Sequence, residues 1–279
     1  MFRLLLLGFC LIGAGPVRAQ LAAPNDAGVA MGHLHFFVDD VAGNRDFWVR
    51  LGGTAVPFRA GEIVKLPGLL VLISERESID SSSVIDHVAF RVKSLAEISA
   101  RGFEIEMVQG FPGIASIYAP SGDRIELFEE GTATNVGFDP VPDLATAISL
   151  RHNRPLQGQL DSHHLHFYVP ETDIVAARDW YVRHFGAIPG LRWRYDAADL
   201  PGMNLNFSAA NNSRAVTQGQ SLDHIGFEVV DLEAFCADLI DVGIDFDQPY
   251  QRVGPDFAFA ILTDPWGTTI ELTEGLSAY

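Results

Sequence analysis

Four segments of this chain occur twice, in the same order, and that duplication limits the fold more than any other feature. "GHLHFFVDDVAGNRDFWVRLGG" matches "HHLHFYVPETDIVAARDWYVRHFG", and "LPGLLVLIS" matches "LPGMNLNFS". "DHVAFRVKSLAEI" matches "DHIGFEVVDLEAF", and "APSGDRIELFEEG" matches "DPWGTTIELTEG". Four matches in one order make residues 28–131 and 162–275 tandem copies of one unit. The segment between them, 132–161, has no counterpart and reads as a linker, with a short helix expected around 143–151. Each copy divides again. "HLHFFV" has strand character, "AGNRDFWVRLGG" is a helix closed by glycine, and three short strands follow between Gly and Pro punctuation. "HVAFRV", "LAEISARGF" and the strands ending in "DRIELFEE" repeat that order, so four βαβββ modules fill the chain.

The N-terminus stands outside this repeat. "MFRLLLLGFCLIGAGPVRAQ" carries Arg3, an apolar run too short to span a bilayer, and small residues at Val17 and Ala19. That is the pattern of a signal peptide over residues 1–19, cleaved before Gln20, and it predicts export to a periplasmic or extracellular location. Without it Cys236 is the only cysteine, so neither an internal disulfide nor a cysteine-based metal cluster can form, and stability must come from a core. The formal charge of −17 argues against a nucleic-acid or anionic-membrane partner.

Histidines open the strands. Side chains alternate along a strand, so His33 and His35 share one face, as do His164 and His166. The second module of each copy begins with His87 or His224, and its last strand carries Glu126 or Glu271. Each copy thus holds His, His and Glu on separate strands in one order. Two imidazoles and one carboxylate suit Fe(II), Mn(II), Ni(II), Co(II) or Zn(II) and leave coordination positions open to substrate. A lone strand histidine is more often a hydrogen-bonded core residue, but two matched triads favour a metal. His35 and His166 share the ligand face and are candidate acid/base groups. Arg91 and Glu228, four residues beyond His87 and His224, would give the two cups opposite charge. The triads can close within each copy, or by exchange, joining His33 to His224 and Glu271, and His164 to His87 and Glu126.

The module pattern, "DHxxFxV" and "DPxGxxIEL" resemble the vicinal oxygen chelate superfamily, which includes glyoxalase I, epimerases, fosfomycin-resistance transferases, extradiol dioxygenases and metal-free bleomycin-resistance proteins. The resemblance implies an α+β fold of two tandem domains, each a bent, cup-like mixed sheet of paired modules. It implies metal ligands at His33, His87 and Glu126 and at His164, His224 and Glu271. Where some members place a fourth ligand, this chain offers only Asn204 or Asn206, which favours a three-ligand site. The implied substrate is a small molecule with adjacent oxygens, and a homodimer is compatible with this reading. Extradiol ring cleavage leads, ahead of glyoxalase- or epimerase-type lyase or isomerase chemistry, since export removes the chain from cytosolic glutathione. The metal-free alternative is a small-molecule binding protein.

Overall fold

The computed structural model describes residues 21–59, 61–77, 82–131, 138–140, 155–156 and 158–279. The expected signal peptide and linker helix lie outside them. The first module runs β1 (Val29–Val38), α1 (Val41–Leu51), β2 (Thr54–Phe58), β3 (Gly61–Leu66) and β4 (Leu69–Glu75). The second runs β5 (Ile85–Val92), α2 (Leu95–Ala100), β6 (Glu106–Met107), β7 (Ile114–Tyr118) and β8 (Arg124–Glu129). After β9 (Phe138–Pro140), the third runs β10 (Leu160–Val169), α3 (Ile174–Phe185), β11 (Ile188–Arg192), β12 (Tyr195–Leu200) and β13 (Met203–Ala209). The fourth runs β14 (Leu222–Val229), α4 (Leu232–Asp241), β15 (Gln248–Arg252), β16 (Ala258–Thr263) and β17 (Thr269–Glu274). All four are βαβββ, as the repeat predicts.

Two mixed sheets result, an eight-stranded one in the order β15-β16-β17-β14-β1-β4-β3-β2 and a nine-stranded one in the order β6-β7-β8-β5-β10-β13-β12-β11-β9. Each unites a module from one copy with a module from the other. The first and fourth modules join through antiparallel β1 and β14, the second and third through antiparallel β5 and β10. Residues 28–131 and 162–275 are therefore units of repetition, while the sheets are built by exchange. Four modules of similar pattern offer similar edges, so the pairing was not readable from any one of them.

Burial follows the strand alternation. Leu34 and Phe36 of β1, and Leu165 and Phe167 of β10, are fully buried in one core cluster with the helices. α1 begins at Asp40, whose carboxylate accepts from the Gly43 amide at 2.8 Å, a cap that satisfies an otherwise orphaned helix N–H. Its Trp48 reaches Phe90 of the other sheet, with ring centroids 6.0 Å apart. α3 sends Tyr181 and Phe185 to Phe227 of β14 in the same manner. Helices thus bind the two sheets together, and the histidine faces are left on the cups.

Candidate metal centres

Strand pairing brings the expected residues together in two groups. β1, β14 and β17 place His33, His224 and Glu271 in one cup, where His33 Nε2 and His224 Nε2 lie 2.9 and 3.1 Å from Glu271 Oε2. β5, β8 and β10 place His87, Glu126 and His164 in the other, with His87 Nε2 3.2 Å and His164 Nε2 3.9 Å from Glu126 Oε2. His33 thus lies in a different sheet from His87 and Glu126, the partners it would have had in its own copy. Of the two arrangements the sequence allows, the exchanged one is found.

Both groups fit a divalent cation. In the second cup His87 Nε2 and His164 Nε2 are buried without a hydrogen-bond partner among the described residues, as is Asn206 Oδ1. An unsatisfied buried polar atom costs about 1–3 kcal/mol. A cation where these donors converge would remove that cost. His33, His224 and Glu271 present donor atoms within 4.8 Å of one another, and so do His87, His164 and His166. His166 therefore stands at ligand range, which the triad assignment did not anticipate.

The surrounding shell repeats in both cups. Asp223 accepts from His224 Nδ1 at 2.8 Å, and Asp86 accepts from His87 Nδ1 at 2.9 Å, leaving Nε2 for a metal. Arg76 pairs with Asp223, and Arg214 with Asp86 at 3.3 Å. The same guanidinium groups lie over Phe37 and Tyr168, which in turn stack on His35 and His166. His35 Nε2 meets Ser74 Oγ at 2.8 Å and His166 Nε2 meets Ser208 Oγ at 2.7 Å. One arginine thus braces the carboxylate behind a ligand and the ring beside the second histidine. Replacing Arg214 with Met is expected to lower metal affinity of the second cup by roughly 10- to 100-fold, the usual loss when a supporting partner goes. Competition with a chromogenic chelator measures it.

Burial holds His35 neutral, its pKa pushed down to about 3 by desolvation and then by the neighbouring His224 and His33. His166 is lowered for the same first cause, with His87 adding to it, and His164 by burial and then His163. His224 moves the other way: although burial opposes it, bonds to Asp223 and Glu271 raise its pKa. Neutral imidazoles are the form that ligates metals or takes up protons.

His163 was not expected to face the cup, because strict alternation turns it away from His164. A register break between Ser162 and His164 undoes the alternation. His163 stacks on Phe128 at 4.3 Å, contacts His164 Nδ1 at 2.7 Å, and is met at Nε2 by Arg192 at 2.8 Å. Asn204 is engaged by Arg192 and Asp199 and is not a free ligand, whereas Asn206 lines the cup. Arg91 and Glu228 do not set the charge of the cups. Arg91 is buried against Glu130, and Glu228 accepts from the Gly275 and Ser277 amides. Tyr250 meets Arg252, and Trp266 donates to Asp173, so neither joins the candidate ligands. The paired serines were legible in principle, since both "LPGLLVLIS" and "LPGMNLNFS" end in Ser.

The cups differ in two respects. His33 lies opposite Gly226, where a Cβ would sit 2.0–2.5 Å from three atoms of its imidazole, while His164 lies opposite Ala89. Gly226→Ala is therefore expected to displace His33 and halve the metal stoichiometry, leaving the other cup loaded, as elemental analysis would show. The second difference is access. At the first cup a cavity of about 420 Å³ reaches His35 and Ser74 past Phe58, Ile63 and Leu72, but His33, His224 and Glu271 do not line it. The cup of His87, Glu126 and His164 instead opens into a cavity of about 280 Å³, lined also by Phe111, Phe128, His163, His166, Tyr168, Arg192, Trp193, Arg194, Tyr195 and Asn206.

Residues 162–272 match the family model described as the glyoxalase, bleomycin resistance protein and dioxygenase superfamily. The second copy of the repeat thus matches the superfamily that the sequence motifs resemble, and the first copy shares its module pattern. Glyoxalase I from Zea mays is similar in fold at 15% identity, covering 90% of this chain and 94% of that one with a TM-score of 0.60. A dioxygenase candidate from Bacillus subtilis is similar at 14% identity, covering 92% of this chain and 86% of that one with a TM-score of 0.61. No curated protein matches the sequence. Members of this superfamily are mostly enzymes and typically depend on a divalent metal, in keeping with the two histidine-rich groups here.

Proposed function

We propose that the protein is an exported metal-dependent enzyme whose turnover takes place in the cup of His87, Glu126 and His164, with extradiol-type cleavage of a catechol as the leading reaction. The observation that carries this reading is the cavity itself, which brings an accessible two-His, one-carboxylate group together with His163, His166 and Tyr195. Tyr195 stands edge-on to His166 with ring centroids 4.9 Å apart. A bound Fe(II) or related ion would supply Lewis acidity and open positions for adjacent substrate oxygens. The chain's own residues would do the rest. Asp86 orients His87, His166 is a neutral proton acceptor beside the ligands, and Phe128 and Tyr168 exclude water.

A second reading rests on Asn206. Its unpartnered Oδ1 offers a fourth oxygen donor, and a fuller coordination sphere favours isomerase or lyase chemistry. An anaerobically Fe(II)-loaded sample should consume oxygen with members of a catechol panel and yield coloured ring-opened products. Metal bound without oxygen uptake would sink the dioxygenase reading. No metal under any reconstitution would make a small-molecule binding protein the better account. Export is tested by fractionation, with a mature N-terminus at Gln20 expected.

A further inference from the structure

We propose that the cup of His87, Glu126 and His164 takes a planar aromatic acid, with the carboxylate held by Arg194 and the ring held at the mouth by Trp193 and Phe111. The cavity is small for a ligand site, below the roughly 300–1,000 Å³ that is usual, which sizes the ligand at one or two rings. Trp193 and Phe111 come from different modules and meet edge-to-face, with centroids 5.5 Å apart. Both keep over two-fifths of their surface exposed, 46% and 41%. Two large aromatic side chains braced together yet open to water are an apolar surface that a flat ligand would cover.

Arg194 supplies the charge. Its guanidinium lies over the Trp193 ring at 4.5 Å and the Tyr195 ring at 5.3 Å, and it donates to Tyr195 Oη at 3.3 Å. Among the described residues no carboxylate pairs with it. The stacking holds the fork in place before a ligand arrives, and a guanidinium fork matches a carboxylate in bidentate geometry. In a protein of formal charge −17, this rim is a local reversal of sign that favours anions. Among the described residues, the other cup has an arginine at the equivalent place but no counterpart of the Trp193 and Phe111 pair. Its hairpin tip carries Phe58, Arg59 and Gly61, and Arg59 lies over Phe58 at 5.5 Å as well as over Phe257 at 4.2 Å. Both tips hold a non-glycine residue at positive φ, Arg59 at 52° and Trp193 at 55°, so the turn is shared and only its side chains differ.

That the ligand's adjacent oxygens face His87 and Glu126 rests on the proposed metal reading; the carboxylate contact at Arg194 does not. Two calorimetric titrations separate them. With zinc-loaded protein, 3,4-dihydroxybenzoate is expected to bind about ten-fold more tightly than catechol, the size of one charged hydrogen bond. Arg194→Ala should erase the difference by weakening the acid alone, and Arg194→Lys should restore part of it. With metal-free protein, benzoate should bind more tightly than benzyl alcohol and lose that advantage in Arg194→Ala. Equal binding of acid and neutral ligand, or a preference that survives Arg194→Ala, would overturn the proposal. Failure to bind zinc, with the benzoate preference intact, would count against the metal reading and in favour of the acid site.

Discussion

Glu126→Ala should abolish turnover, and Glu271→Ala should leave most of it. Each substitution removes the carboxylate toward which two imidazoles converge, so each cup should lose its metal with a deficit beyond the ~100-fold typical of losing a mere supporting contact. Glu126 itself lines the 280 Å³ cavity, whereas the cavity at the other cup reaches His35 but not Glu271. The decisive comparison is between pairs from different copies. His164→Ala should empty the cup that Glu126→Ala empties, and His33→Ala the cup that Glu271→Ala empties. Elemental analysis of the four single variants and of the double variant His33→Ala with Glu271→Ala reads this directly, since two losses from one cup leave one metal per chain. A double variant with no metal would mean that the ligands close within each copy.

That experiment tests what the sequence left open. The module order, the faces of the strands and the six ligand candidates were legible because a two-residue period and a four-fold repeat carry that information locally. The exchange was not, since β1 has the same local pattern whether it pairs with β5 or β14. His163 was hidden by the register break before His164, a backbone event that leaves no mark in the residue pattern. Arg91 shows the reverse error: its position on the strand was read correctly from period two, but its neighbour Glu130 lies beyond the end of β8 and claims it. The braces formed by Arg76 and Arg214 join residues from different copies, so they become visible only after the sheets are assembled.

Acid should destabilise the metal-free protein sharply, starting near pH 6.5. His35, His164 and His166 are neutral in the folded chain and their pKa values are lowered, chiefly by burial. The unfolded chain takes up protons at an ordinary histidine pKa of about 6.5, so below that pH it binds more protons than the folded one. Stability therefore falls as pH falls, at a limiting slope of about 1.4 kcal/mol per pH unit for each group. Against a typical total of about 5–15 kcal/mol, three such groups are a large fraction. His224 has the opposite sign. Its raised pKa contributes stability that is fully present below 6.5 and is lost as pH rises through the folded value. Burial acts to raise Glu271, Asp223 and Asp86, but their histidine partners outweigh it and lower all three, so their contributions are present above the ordinary carboxylate pKa and disappear only at stronger acidity. The melting temperature of chelator-treated protein should thus peak near neutrality and drop steeply toward pH 5. His35→Phe, which removes one buried imidazole, should flatten the acid limb, and an unchanged limb would show that burial at the cups does not control it. Metal at the cup of His164 should go on adding stability below pH 6.5, because burial holds that imidazole unprotonated in the folded chain. Protonation of His224, whose pKa is raised, should instead weaken binding at the other cup as pH falls.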